Sequence, residues 1–291
     1  MEGTCVIAAT DGSRASLQAV EWAAREAVLR GQPLRIVSVP NMPPRMSWRP
    51  EIPGRPDTVA DIIREASEQA LATAARAAEE EPGLAVTTEL LSGPPALVLA
   101  EAADGAAMLV TGNRGAGAFA ALALGSVSRY LAIHAPCPVI VAREENMAVH
   151  RQVVAGIGDR DQPAALRFAF EEAELRGARL HAVLAWQLFL PTMRLTGTER
   201  PGAEASEVTA EAARWLSELL APWRQKYPGV TVLEDATHGQ PGRVLTGASA
   251  RADLVVLSRN SADGSASRHG TWAVTYAVLH HAHCPVAIIP E

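Results

Sequence analysis

A chain of 291 residues, 48% apolar and 20% charged, is long enough for two ordinary domains and has the balance of a soluble globular protein. Its formal charge of −6 argues against nucleic acid as the main partner, because phosphate backbones are held by clustered positive charge. No apolar run reaches the ~18 residues of a membrane span, and Cys5, Cys137 and Cys284 are too few and too scattered for a disulfide framework or a four-thiolate metal site.

The chain starts Met1-Glu2-Gly3-Thr4-Cys5, without the basic start and apolar stretch of a secretory signal, and with reduced cysteines this leads us to expect a cytoplasmic protein. Apolar runs then alternate with helical patterns. Strands are expected over 4–10, 33–39, 84–91, 106–111 and 137–143, and helices over 14–30, 57–81, 94–103 and 124–134. In the first helix Leu17, Val20, Ala24, Ala27 and Val28 share one face at a 3.6-residue period, and Gly31 followed by Pro33 stops it. Strands alternating with helices imply parallel pairing through right-handed crossovers, hence an α/β fold with a doubly wound sheet.

The pattern is then repeated. Cys137-Pro138-Val139-Ile140-Val141 recurs as Cys284-Pro285-Val286-Ala287-Ile288, and the helix containing Trp22 to Gly31 recurs from Phe168 to Gly177, at an offset of about 146 residues. A period this long is a whole domain, not a solenoid turn. The polar stretch Arg143-Glu144-Glu145-Asn146 marks the boundary, giving domains over 1–145 and 150–291.

The chemistry concentrates after the fourth strand of the first copy. Gly112-Asn113-Arg114-Gly115 is followed, nine residues on, by Gly125-Ser126-Val127-Ser128 at a helix start. This G-x-x-G-x9-G-S spacing suits anion binding. Glycine is expected to supply positive φ and close backbone approach, and the helix start to offer hydroxyls beside unpaired N–H groups. Lys226 is the only lysine, so a lysine-dependent phosphate loop is excluded. Phosphate must be held by main-chain amides, hydroxyls, arginines or a metal.

On these residues, with Thr10-Asp11-Gly12-Ser13 after the first strand, the chain resembles the universal stress protein family in its ATP-binding branch. The resemblance covers nearly the whole length, twice. It implies five parallel strands per domain in the order 3-2-1-4-5, helices on both faces, and a nucleotide between the first and fourth strands. It places Ala9, Thr10 and Asp11 near the adenosine, with Asp11 the polar anchor, and the backbone of Val39 at the adenine edge. Thr111, Gly112 and Gly115 would line the base and ribose side, and Gly125, Ser126, Val127 and Ser128 would receive the phosphates. Arg114 would reach a phosphate or stand as a solvated loop arginine. Mg2+ would be held largely by phosphate oxygens and water. The family's fifth strands pair across a two-fold axis, which implies a pseudo-dimer within this chain and allows a homodimer of chains.

The second copy departs from the motif. Ser258-Arg259-Asn260-Ser261 stands where the first has its two glycines, Gly270-Thr271 follows after a shorter spacer, and Ile157-Gly158-Asp159-Arg160 replaces Thr-Asp-Gly-Ser. Serine at a positive-φ position would be strained, so this half is expected to bind ATP weakly or not at all. His280-His281-Ala282-His283-Cys284 reads as helix-end histidines and a buried cysteine rather than a metal site. The proline-rich segment 40–56 reads as a surface loop rather than a lid. The leading expectation is an adenine-nucleotide-binding stress-response protein whose occupancy is read by an unknown protein partner, not an enzyme, since no catalytic base is visible. The rival readings are an ATP-hydrolysing or autophosphorylating enzyme on the same scaffold and a nucleotide-free interaction module.

Overall fold

The computed structural model describes residues 4–41, 59–115, 124–143, 149–158, 162–186, 201–259 and 268–291, with the main chain alone at 201–206 and 268–272. Most of the proline-rich segment 40–56 and the boundary residues Glu144, Glu145 and Asn146 lie outside these residues. The chain divides into two compact units, residues 1–144 and 145–291.

In the first unit the elements run β1 (Val6–Ala9), α1 (Arg14–Arg30), β2 (Leu34–Ser38), α2 (Val59–Ala78), β3 (Val86–Leu90), α3 (Pro95–Ala102), β4 (Met108–Gly112), α4 (Ser126–His134) and β5 (Val139–Ala142). All pairings are parallel, in the order β3-β2-β1-β4-β5. This is the order the resemblance implied. β1, β4 and β5 are buried along their whole length, as befits strands of a parallel sheet covered on both faces. At the edge, β3 is half-exposed, and an ion pair from Glu89 to Arg35 of β2 places charge there, which discourages pairing with other chains.

Helix α1 packs on β1 and β4 and against α2, while α3 packs against α4. Ser13 caps α1, accepting from Ser16 N–H at 3.3 Å, and Gly31 ends it in the left-handed region at φ 61°. Its buried stripe differs from the expected one. It runs through Ala15, Ala19, Val20, Ala23, Ala24 and Ala27, while Val28 is 42% exposed. The alanine side lets the helix lie close to the sheet; Val28, about 100° further round than Ala27, turns outward.

The second unit runs β6 (Gln152–Gly156), α5 (Pro163–Leu175), β7 (Arg179–Trp186), α6 (Pro201–Lys226), β8 (Val232–His238), α7 (Pro241–Ser249), β9 (Leu254–Arg259), α8 (Arg268–His281) and β10 (Val286–Pro290). Its parallel order is β8-β7-β6-β9-β10, the same topology. On α5, Phe170 stacks on Trp223 and Tyr227 at centroid distances of 5.9 and 5.4 Å. The two copies also share an ion pair with a buried carboxylate, Glu26–Arg30 in α1 and Glu172–Arg176 in α5. Among the described residues, no helix is long and apolar enough to cross a membrane.

Candidate functional site

In an open parallel sheet a ligand sits beyond the carboxyl ends of the strands, where the strand order reverses. In the first unit that point lies between β1 and β4, which pair directly. Thr10 N–H continues the ladder to the Val37 carbonyl at 2.9 Å. The chain then turns at Gly12, whose φ of +79° is the site's one left-handed residue among those described. Side chains staple this turn. Gly12 N–H donates to Thr10 Oγ1 at 3.2 Å, Ser13 N–H to Asp11 Oδ1 at 3.0 Å, and Asp11 N–H to Ser16 Oγ at 3.3 Å. Ser16 Oγ lies 3.2 Å from Thr10 Oγ1 and donates to the Ser13 carbonyl at 2.9 Å.

The glycines of the β4 side work differently from the sequence expectation. Neither Gly112 nor Gly115 has positive φ, and Gly125 sits in the extended region at φ −73°. Two of them are needed for space. A Cβ on Gly112 would stand 2.8 Å from the carbonyl carbon and oxygen of Ala15, so glycine here admits the backbone of α1. A Cβ on Gly115 would overlap Asp11 Oδ2. The bare backbone at Gly115 therefore lets the Asp11 carboxylate lie against the β4 loop, and this joins the two halves of the site.

Helix α4 is then pinned to that loop. Gly125 N–H donates to the Asn113 carbonyl at 2.8 Å. Ser128, buried, donates its hydroxyl proton to the Gly112 carbonyl at 2.7 Å and lies 3.4 Å from Thr111 Oγ1. The Ser128 hydroxyl proton is thus committed to holding α4 on β4. Ser126 is exposed, Val127 is half-buried, and no side chain caps α4. The first-turn amides of an uncapped helix have no intrahelical acceptor and carry the positive end of the dipole. Arg114 is half-buried between Asn113 and Gly115, Ala9 and Thr10 are buried at the end of β1, and Val39 is buried just beyond β2 on the far side of β1.

Two residues of this network went unnoticed in the sequence. Ser16 had a signal, standing three residues after the capping Ser13. Asn113 had none: it is 4% exposed, and its side-chain Oδ1 has no hydrogen-bond partner.

The equivalent place in the second unit is built otherwise. Strand register pairs Ala155 with Val256 as it pairs Ala8 with Val110, so Gly156 and Leu257 come next where the first unit has Ala9 and Thr111. A Cβ on Gly156 would stand 2.5 Å from Leu257 Cδ2 and 3.2 Å from Leu245 Cδ1. Ile157, buried, takes the place of Thr10. Leucine and isoleucine thus fill the space of the hydroxyl cluster. Helix α5 starts only at Pro163, and its first amides are already used: Ala164 and Ala165 N–H donate to the Glu291 carboxylate at 3.1 and 3.2 Å. The strain expected at Ser258 does not apply, because neither Ser258 nor its counterpart Gly112 is at positive φ. Asp159, Arg160, Asn260 and Ser261 lie outside the described residues, and at Gly270 and Thr271 only the main chain is described.

Elsewhere, a hollow of about 660 Å³ lined by His150, Arg151, Glu174 and Arg179 opens at the amino ends of β6 and β7, opposite to where such sheets bind ligands. His280 packs on Tyr276 at 4.0 Å between ring centroids, and Cys284 is buried. No group of three or more metal-ligating side chains is placed to hold an ion among the described residues.

Comparison with known proteins gives consistent matches. The universal stress protein family pattern matches residues 5–143 and again 150–290. Universal stress protein Rv2005c of Mycobacterium tuberculosis is 35% identical, covering 97% of this chain and 96% of its own. Universal stress protein Rv2623 of the same organism is 31% identical over 98% and 96%. Among solved structures, a universal stress protein from Archaeoglobus fulgidus superimposes with a TM-score of 0.70 at 18% identity, covering 99% of this chain and 96% of that one, a likeness of fold.

Proposed function

The chain belongs to the universal stress protein family as a tandem two-domain member, and we propose that its first unit binds one adenine nucleotide, ATP with Mg2+, while its second binds none. One observation carries this reading. The uncapped start of α4 is fixed to the Gly112–Gly115 loop through Gly125 N–H and Ser128 Oγ, at the point where the strand order reverses. Main-chain amides there suit a polyphosphate. Mg2+ would neutralise the phosphates through their own oxygens and water, which fits a Gly112–Gly115 loop carrying a single cation, Arg114.

The roles divide accordingly. Ser126 and Val127 would take phosphate oxygens on main-chain N–H groups, with the Gly125 N–H, Thr111 and Ser128 holding α4 at its angle. Asp11 and Thr10 would face the nucleoside. Asp11 touches both halves of the site, so occupancy there would move α1 and the β4 loop together, a change that a protein partner could read. We assign binding rather than turnover. The hydroxyl protons of Ser16 and Ser128 go to backbone carbonyls rather than to a positioned base.

The test is to denature freshly purified protein, identify and count the released nucleotide, and titrate emptied protein with Mg2+-ATP by calorimetry. One adenylate per chain is expected. Two per chain would overturn the assignment of the second unit, and neither released nucleotide nor heat of binding would overturn the first.

A further inference from the structure

A buried acceptor without a donor costs about 1–3 kcal/mol, and native proteins keep few of them. Among the described side chains more than nine-tenths buried, the uncharged ones with an unpartnered polar atom are Asn113 (Oδ1, an acceptor), Gln162 (Nε2, a donor) and Ser258 (Oγ). All three stand at the carboxyl ends of strands: Asn113 after β4, Gln162 just before α5, and Ser258 near the end of β9. Those of the second unit sit where leucine and isoleucine have replaced the hydroxyl cluster. Asn113 sits inside the glycine motif itself.

We propose that Asn113 is a specificity-determining residue, its Oδ1 accepting a hydrogen bond from a ribose hydroxyl of the bound nucleotide. The proposal rests on the adenylate reading above and deepens it. The main chain of Asn113 is held rigidly, its carbonyl taken by Gly125 N–H at 2.8 Å. This ties the residue that bears the unpartnered Oδ1 to both the end of β4 and the start of α4. An acceptor needs a donor, and phosphate oxygens at neutral pH offer none. An adenylate offers its exocyclic amine and its sugar hydroxyls. With the base toward Val39 beyond β2 and the phosphates at Gly125, the strand order β2-β1-β4 puts the middle of the molecule, the sugar, at β1 and β4. There Asp11 and Asn113 approach from the two sides.

The experiment compares ATP with 2′-deoxy-ATP and 3′-deoxy-ATP, each with Mg2+, on the full chain and on Asn113→Leu, a near-isosteric change that removes the acceptor. Melting of the nucleotide-free variant is measured first. Removing an unpartnered acceptor should leave the melting temperature unchanged or raise it; a lowered one would mean that Asn113 serves the fold and would overturn the proposal. ATP should then bind the variant roughly tenfold more weakly. At least one deoxy analogue should bind parent and variant alike, because the hydroxyl that met Asn113 is gone. Equal losses for ATP and both analogues would overturn the proposal, as would no loss at all. Asn113→Asp, which keeps an acceptor, should preserve the preference for ribose. If the parent chain binds no adenylate, the nucleotide reading fails first, and the melting of Asn113→Leu still reports separately on the unpartnered acceptor.

Discussion

The two units have the same strand order and the same helix-borne ion pair, Glu26–Arg30 against Glu172–Arg176, yet they differ at the one place where such sheets bind ligands. In the first, hydroxyls and an aspartate line the gap between β1 and β4, and the start of α4 is uncapped. In the second, Leu257 and Ile157 stand at the corresponding positions, and α5, the counterpart of α1, has its first amides held by the Glu291 carboxylate where α1 is capped by Ser13. A fold of this kind tolerates the loss of its site because the site contributes little to the core. What is retained through duplication is what holds the sheet together.

The sharpest way to break the comparison is Gly115→Val. Its side chain would enter the space of the Asp11 carboxylate and separate the two halves of the site. Binding of Mg2+-ATP should weaken by about 100-fold, close to 2.8 kcal/mol, measured by calorimetry. Because residue 115 lies in a loop, thermal melting should move little. A variant that binds like the parent would mean that the contact between Asp11 and Gly115 is irrelevant to the ligand.

Gly112→Ala and Gly156→Ala form a matched pair. Each added Cβ meets a close neighbour: the Ala15 backbone at 2.8 Å in the first unit, and in the second the Leu257 side chain at 2.5 Å, backed by Leu245 at 3.2 Å. Overpacking of this kind costs about 1–3 kcal/mol, so both should lower the midpoint of denaturant unfolding. Only Gly112→Ala should also weaken ATP, because it displaces α1 and with it Asp11. If Gly156→Ala affected ATP equally, the second unit would be part of the binding function.

How much of this could be read from the chain depends on which force sets each feature. Strands and helices were legible because continuous apolar runs and the 3.6-residue period respond to burial, and β1, α1 and α4 fall within the expected ranges. The motif was legible because spacing survives in sequence. The reasons for its glycines were not. Space at Gly112 and Gly115 is set by Ala15 and Asp11, about a hundred residues away, and no local pattern shows that. Glu26 and Glu172 look like solvated helix residues until packing buries them. Asn113 reads as an ordinary loop residue, and only its enclosure makes its bare acceptor informative.

The smallest expected effect belongs to Glu291→Gln. The carboxylate accepts from two amides at the start of α5, where a negative charge is worth about 0.3–1 kcal/mol. The amide keeps one acceptor and loses the charge, so the unfolding midpoint should fall slightly, and by less at high salt, since screening already weakens the interaction. Nucleotide stoichiometry should stay at one per chain. That last readout separates two causes of the second unit's silence. If the site is closed by Leu257 and Ile157, removing the charge at the start of α5 changes nothing, because the space for a nucleoside is still filled. If stoichiometry instead rises toward two, the apolar filling is no barrier, and the internal carboxylate alone was excluding the ligand.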